Sequence, residues 1–423
     1  MHTEPSPAAH VLDHLDDGAR IVVPLANGEP VSLLDAIEDA NEDLLGLEVH
    51  QMHALYDRPY LTGNHRDRLR HVSYFLSHVT RPHFHAGGVD LVPAHFSEVP
   101  ELLRHGGDPS IVLAAAAPMD RHGYFSLGTN ADYVAGLIGR VPFFLEVNQE
   151  MPRTFGRNQV HVSQIAGWTE VDRPLVEVPP KEPDDLDRSI ASHVAERIKD
   201  GDTLQVGIGA IPNAILSMLT DHRDLGLHTE LLADGVIDLA ESGALTGVTK
   251  KRGRNKHVTT FALGTRRLYD WLDDNASVEL WPVEHVNDPR TIALEHGFAS
   301  INATTEVDLL GQCASETIQG TYWSGSGGQT DFARGAMYAT DGRGFVVTRS
   351  TAKGGEVSRI VGRLSRGSVV TTLKNTVDHV VTEYGVAELR GRSIRERAAA
   401  LIAIAHPDHR DWLTGKAKQF GYL

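Results

Sequence analysis

The 423-residue chain holds one cysteine, Cys313. No intramolecular disulfide can form, and a reducing, cytoplasmic setting is expected. The surrounding LLGQCAS offers the thiol no nearby histidine and no strand-to-helix elbow, so a structural role is expected. No run approaches the roughly 18 apolar residues that cross a bilayer. The start, MHTEPSPAAH, lacks the basic head and apolar stretch of a secretory signal. Positive charge is short: 40 Lys and Arg face 56 Asp and Glu, for a net charge of −16. That balance argues against nucleic acid or anionic membrane as a partner. The 23 histidines are scattered, without H-E-x-x-H or C-x-x-C spacing, and no metal site is expected. One basic cluster, KKRGRNK (Lys250 to Lys256), leaves two readings open: a solvated loop or a landing site for phosphates.

What is present is a globular composition, 41% hydrophobic, at a length that suits two domains. A weak repeat supports this. AAHVLDHLDDGARIVVPLANGEP, from Ala8, is echoed by IASHVAERIKDGDTLQVGIGAIP, from Ile190. His10-Val11 matches His193-Val194 and Asp17-Gly18 matches Asp200-Gly201, each pair 183 positions apart. Both copies predict a helix, an Asp-Gly stop, a strand, a glycine-bearing turn and another helix. A D-x-x-G frame also recurs, at Asp120 to Gly123 and at Asp308 to Gly311. The proline-rich, charged stretch from Val176 to Ser189 reads as the boundary. Two domains, 1–183 and 184–423, are expected. In each half strand-like runs (SIVLAAAAP, VPFFLEVN, LQVGIG) alternate with helical ones (RSIASHVAERIKD, IRERAAALIAIA). The alternation predicts an α/β class with two related open domains and largely parallel sheets.

Two stretches of the second half carry chemistry. In GIGAIPNAI, from Gly207, the glycines permit a tight turn and close approach to a ligand, and Pro212 suits a first helical turn. A dinucleotide fingerprint needs glycine at 212, so NAD is disfavoured. In LGLHTELLADG, from Leu225, Glu230 stands between an apolar run and the turn signal Asp234-Gly235. Taken alone it reads as a solvated carboxylate at a strand end or as a reactive one.

These segments, with SGSGGQTDFARGA, STAKGGEVSRIV and VVTEYGVAELRGRSIRERAAALIAIAHPDHR, resemble the acetyl-CoA hydrolase/transferase family. The similarity lies nearest its 4-hydroxybutyrate CoA-transferase-like branch. DYVAGLIGRVPFFLEVNQEMPRTFG and GGVDLVPAHFSEVP extend it through the first half, in the family's order. The resemblance implies two CoA-transferase-type α/β domains. It implies that Glu230 is the nucleophile and that Gly207, Ile208, Gly209, Ala210 and Ile211 contact CoA. It further implies that Gly327 and Gly328 line the acyl and CoA site and that Lys353 binds CoA. Two positions depart from the family: Arg349 replaces a usual proline, and Leu231-Leu232-Ala233 replaces a bulkier run. The first bears on the CoA grip, the second on the acyl pocket.

The activity so implied is transfer of CoA between short-chain carboxylic acids of acetate, butyrate or 4-hydroxybutyrate type. No permanent cofactor is expected; CoA is a substrate. A carboxylate nucleophile divides one thioester exchange into easier covalent steps, and glycine N–H groups suit the anionic intermediates. The competing readings are an acyl-CoA hydrolase using the same site, a non-catalytic acyl-CoA-binding regulator and, more remotely, a sugar-phosphate isomerase. The expected partners are acyl-CoA and a carboxylate, with no nucleic acid and no membrane. A homodimer is a working expectation only. Glu146, Asn148, His71 and Gln329 are noted as side chains that could face the substrate.

Overall fold

A computed structural model describes residues 4–40 and 44–423. The chain forms two compact units: Met1–Pro179 with Val258–Val286, and Pro180–His257 with Asn287–Leu423. The change of unit at Pro179 falls in the proline-rich stretch. Residues 258–286 belong to the first unit, which a single cut through the sequence does not anticipate.

The first unit is built on a seven-stranded sheet. Its strands are β1 (Arg20–Val22), β2 (Leu47–Gln51), β3 (Leu69–Ser73), β4 (Val89–Leu91), β5 (Ile111–Ala116), β6 (Phe143–Asn148) and β7 (Ile165–Val171). Their order is β7-β6-β5-β1-β2-β3-β4, parallel throughout. Helix α1 (Val31–Asp39) joins β1 to β2. Every residue of β5 and β6 is buried, as expected of central parallel strands covered on both faces.

The second unit opens with helix α2 (Asp185–Ala195), started by an Asp184–Asp187 capping box. Its six-stranded sheet contains β8 (Thr203–Val206), β9 (Gly226–Leu227), β10 (Phe298–Ala303), β11 (Arg343–Val347), β12 (His379–Thr382) and β13 (Gly385–Glu388). The order is β9-β8-β10-β11-β12-β13, with only the edge pair β12–β13 antiparallel. Around it lie α3 (Ala210–Ser217), α4 (Gly235–Glu241), α5 (Gln329–Tyr338), α6 (Ile394–Ala403) and α7 (Pro407–Gln419).

The sequence repeat is physical. The order β6-β5-β1-β2 in one sheet has its counterpart in β11-β10-β8-β9 of the other. Thr203, which opens β8, follows Arg20, which opens β1, by 183 positions, the offset of the repeat. Gly18 and Gly201 both take positive φ, +75° and +80°, as the Asp-Gly stops require. The D-x-x-G frames are the same turn: Asp120 accepts from His122 N and Tyr124 N, and Asp308 accepts from Leu310 N and Gln312 N. Cys313 is fully buried, and burial pushes its thiol well above the ordinary range, which fits a packing role. Among the described residues no helix is long and apolar enough to cross a membrane.

Candidate active site

In the second sheet, β8 has β9 on one side and β10 on the other, so the side on which successive strands are added reverses at β8. Crevices for ligands form beyond the carboxyl ends of strands at such a point. Two loops leave the sheet there: Gly207-Ile208-Gly209 after β8, and His228-Thr229-Glu230 after β9.

Gly209 caps α3 with φ +126°, a conformation that favours glycine. A Cβ placed on Gly207 meets no atom within 4 Å, and Ile208 is 52% exposed. The loop therefore offers open backbone, with Ala210 and Ile211 forming the first turn of α3 behind it.

The β9 loop is fixed from below. The His228 N–H continues the ladder to Leu204 O at 2.9 Å. The His228 ring is buried between Phe298 and Phe332, with centroids at 6.1 and 6.5 Å. Thr229 ties the loop to β8: its hydroxyl meets Val206 O at 3.1 Å and accepts from Val206 N at 3.4 Å. The apolar strand ends and one threonine thus fix the backbone that leads into Glu230. The Asp234-Gly235 turn signal opens α4.

Glu230 is partly accessible, but its carboxyl is surrounded by protein. Burial pushes it up from 4.5 to about 7, opposed by hydrogen bonds from the Asn287 amide and the Gly328 N–H. Asn287 Nδ2 lies 2.8 Å from Glu230 Oε2, and Asn287 is fully buried. Gly328 caps α5. A Cβ there would stand 2.0 Å from Glu230 Oε2 and 2.2 Å from Asn287 Nδ2, so only glycine fits. Its neighbour Gly327 turns the chain with φ +54°. Gln329 and Thr330 then fasten the helix start to Thr372 Oγ1 and Thr371 O, at 3.2 and 2.5 Å.

The structure therefore brings together Glu230 and Gly328, and it adds Asn287, which sequence reasoning missed. The only local signal at Asn287 is a polar residue before Asp-Pro, an ordinary turn mark. Lys353 is not among the groups that hold the carboxylate. It is exposed on a hairpin, Thr351–Ala352 paired with Val357–Ser358, with φ +51°.

Neither reading of the basic cluster describes Lys250. It is buried, and its ammonium donates to Leu227 O at 2.6 Å and Lys256 O at 2.9 Å, bracing β9 just before the Glu230 loop. Glu295 holds the backbone of Lys251 and Arg252. Arg349 is engaged with Asp184 and Asp187 at the start of α2, at 2.8 and 2.7 Å. Four noted side chains are also occupied. Glu146 binds Ser32 and Arg173, Asn148 binds the Arg173 backbone, His71 meets Tyr60, and Gln329 binds Thr372.

Residues 6–180 match the acetyl-CoA hydrolase/transferase N-terminal domain and residues 264–417 the C-terminal domain. The chain is 42% identical to the succinyl-CoA:cyclohexane-1-carboxylate CoA transferase of Geobacter metallireducens, over 96% of this chain and 93% of that protein. It is 39% identical to the 4-hydroxybutyrate coenzyme A transferase of Clostridium kluyveri, over 97% and 96% respectively. The crystal structure of RipA from Yersinia pestis superposes with a TM-score of 0.94 at 35% identity, covering 99% of this chain and 98% of RipA.

Proposed function

Since this chain belongs to the acetyl-CoA hydrolase/transferase family and is a CoA-transferase, we propose that it moves CoA between short-chain carboxylic acids through a thioester on Glu230. The observation that carries this reading is the Glu230 carboxyl, held by Asn287 and Gly328 beside the open glycine loop.

The Glu230 carboxylate attacks the donor thioester carbonyl. Its C–S bond breaks, giving a mixed anhydride and CoA thiolate. The thiolate attacks the Glu230 carbonyl, releases the donor acid as carboxylate and leaves a glutamyl-CoA thioester. An incoming carboxylate reverses both steps and departs as the new acyl-CoA. No net proton or redox change is required. The Asn287 amide and Gly328 N–H already grip the carboxyl group. They are placed to hold its oxygen when tetrahedral charge develops, an effect worth about 3 kcal/mol for one such donor. A carboxyl with a pKa of about 7 is a better nucleophile when ionised than an ordinary one, while a substantial fraction stays ionised near neutrality. The His228 imidazole is turned into the core, away from a position where it could activate water.

The acids expected are of acetate, propionate or hydroxy-acid type. Such an acceptor is expected to take CoA at least about ten times faster than water, roughly 1.4 kcal/mol in barrier. The assay compares free-thiol release with new acyl-CoA formation across acceptor concentrations. Thiol release that ignores every added carboxylate rejects transfer in favour of hydrolysis. Incubation with acyl-CoA alone, followed by mildly acidic digestion, should place a CoA adduct on the Glu230 peptide; an adduct on another glutamate removes the assignment.

A further inference from the structure

Strand β9, Gly226–Leu227, is an edge of the second sheet. Gly226 N and His228 N donate toward β8, to Asp202 O and Leu204 O at 2.8 and 2.9 Å. The alternate residues, Leu225 and Leu227, therefore direct their peptide groups outward. Leu225 O is met by Gly247 N at 2.9 Å. The next outward carbonyl, Leu227 O, is met by the Lys250 ammonium at 2.6 Å. We propose that this buried ammonium is a positioning group for the reaction: by holding Leu227 O it sets where Glu230, three residues on, meets Asn287 and Gly328. The assignment rests on reading Glu230 as the nucleophile.

Lys250 and Leu227 are both buried. A carbonyl so placed needs a donor, but a peptide N–H or a hydroxyl would supply one without the cost of burying a charge. The surrounding chain is shaped to this charge. The lysine stem crosses β9 at Gly226, where a Cβ would stand 2.6 Å from Lys250 Cγ and 2.8 Å from Thr203 Oγ1. Glycine beneath it is what lets the stem lie on the strand. A second bond, to Lys256 O at 2.9 Å, closes the loop that carries the lysine. The buried Glu295 grips the same loop with both carboxylate oxygens, accepting from Lys251 N at 2.8 Å and Arg252 N at 2.9 Å. Burial, helped by the Lys250 and Lys256 charges, pushes the His257 imidazole down to about 4 and keeps it neutral.

The lever is short. His228 and Thr229 tie the segment to the β8 side, and Lys250 holds it from the outward side. With the outward tie cut, the segment can turn about its β8 bonds. The carboxylate then shifts against donors that come from elsewhere in the sequence, Asn287 and the start of α5. Beside the lysine opens a groove of about 700 Å³, lined also by Lys199, Lys251 and Arg254. A small amine can therefore reach the place of a truncated side chain.

The test pairs Lys250→Met, which keeps the stem and loses the ammonium, with Lys250→Ala supplied with ethylammonium; thermal unfolding checks that each is folded. Lys250→Met should lower kcat about tenfold, with KM for acyl-CoA within about twofold of wild type. The Glu230 titration is read by infrared, as the difference between each protein and its Glu230→Gln form. In Lys250→Met it should move up by about half a pH unit or more, because bonds that lower the pKa are loosened. Ethylammonium should restore kcat in Lys250→Ala and leave Lys250→Met, whose stem fills the site, as it was. Glu295→Gln slackens the loop but keeps the ammonium, and should show a smaller fall in kcat with a shift of the same sign. A folded Lys250→Met with wild-type kcat and titration overturns the assignment, even if its melting temperature falls. If neither lysine variant folds, a Glu295→Gln with unchanged kcat and titration overturns it. A wild type that forms no CoA adduct on Glu230 removes the proposed function by itself. An upward titration in Lys250→Met would then still uphold the grip on Glu230, and an unmoved one would overturn it.

Discussion

The loop after β1 and the loop after β8 hold the same place in two sheets of the same central order, yet they are built to opposite ends. After β1 the chain is packed shut. Ala26, Asn27 and Gly28 are buried, and a Cβ on Gly28 would stand 2.5 Å from Pro24 Cβ. Asn27 is bound to Tyr269 and to the Val176 backbone. The nearby carboxylate, Glu29, is 1% exposed and locked by Arg58 Nε and Gln51 Nε2, both at 3.0 Å, and Leu55 N at 3.2 Å. After β8 the backbone stands open, and Glu230 is held by an amide and a peptide N–H. Burial raises both carboxyls. For Glu29 the guanidinium offsets it and fixes a structural pair; for Glu230 the offsetting groups carry no full charge. One topology thus yields a closed corner and an open one, and the difference lies in what surrounds each carboxylate.

The sharpest break of this comparison exchanges each glutamate for its amide. Glu230→Gln should lose CoA transfer and the covalent adduct entirely while keeping the fold. Glu29→Gln removes one of the three carboxylates on Arg58, which keeps Asp35 and Glu38, and should cost about 1–3 kcal/mol in denaturant unfolding. An active Glu230→Gln, or a Glu29→Gln of unchanged stability, removes the distinction. Next in size is Gly328→Ala, whose methyl would displace both the carboxylate and Asn287. A shift of roughly 1 Å is expected to lower kcat about a hundredfold, measured with the acyl-CoA preferred by the wild type.

The raised pKa of Glu230 supplies a test by pH. The half-reaction with acyl-CoA needs the carboxylate, so its rate should climb with pH and level off above about 7. In Asn287→Ala the loss of a group that lowers the pKa should move this limb to higher pH. Stability responds with the opposite sign. A carboxyl raised from 4.5 favours folding in its neutral form, and that advantage is lost as pH rises through about 7. Glu230→Gln should therefore be more stable than wild type at pH 8, by at most about 3 kcal/mol at 1.36 kcal/mol per pH unit, with the gap closing toward pH 4.5. A constant gap across this range would show that Glu230 titrates as an ordinary carboxylate.

The smallest effect concerns the open loop itself. Gly207→Ala meets no atom of the protein, so the melting temperature should not move. A few-fold rise in KM for acyl-CoA is expected, because the added methyl would meet only the ligand. An unchanged KM would take the loop out of the CoA site.

The α/β class, the parallel sheets and the duplicated β1 and β8 segments were legible because hydrophobic period and Asp-Gly stops are local signals. Within the site, the glycines and Glu230 stood out through their order along the chain. Asn287 did not, because it reaches Glu230 across 57 positions of sequence and has no pattern of its own. Lys250 misled for a related reason: a basic run looks solvated or phosphate-binding, and nothing local shows that one ammonium is buried against two carbonyls.

By itself, then, the sequence determined the element pattern, the doubling of the fold and the nearness of glycine turns to strand ends, all consequences of neighbouring residues. How each glutamate is held was decided only by tertiary structure. A carboxylate is tuned by desolvation and by the donors that reach it, and those donors come from a loop and a helix start far along the chain. Glu29 and Glu230 are the same residue in sequence; Arg58 beside one, and Asn287 with Gly328 beside the other, make them different in chemistry.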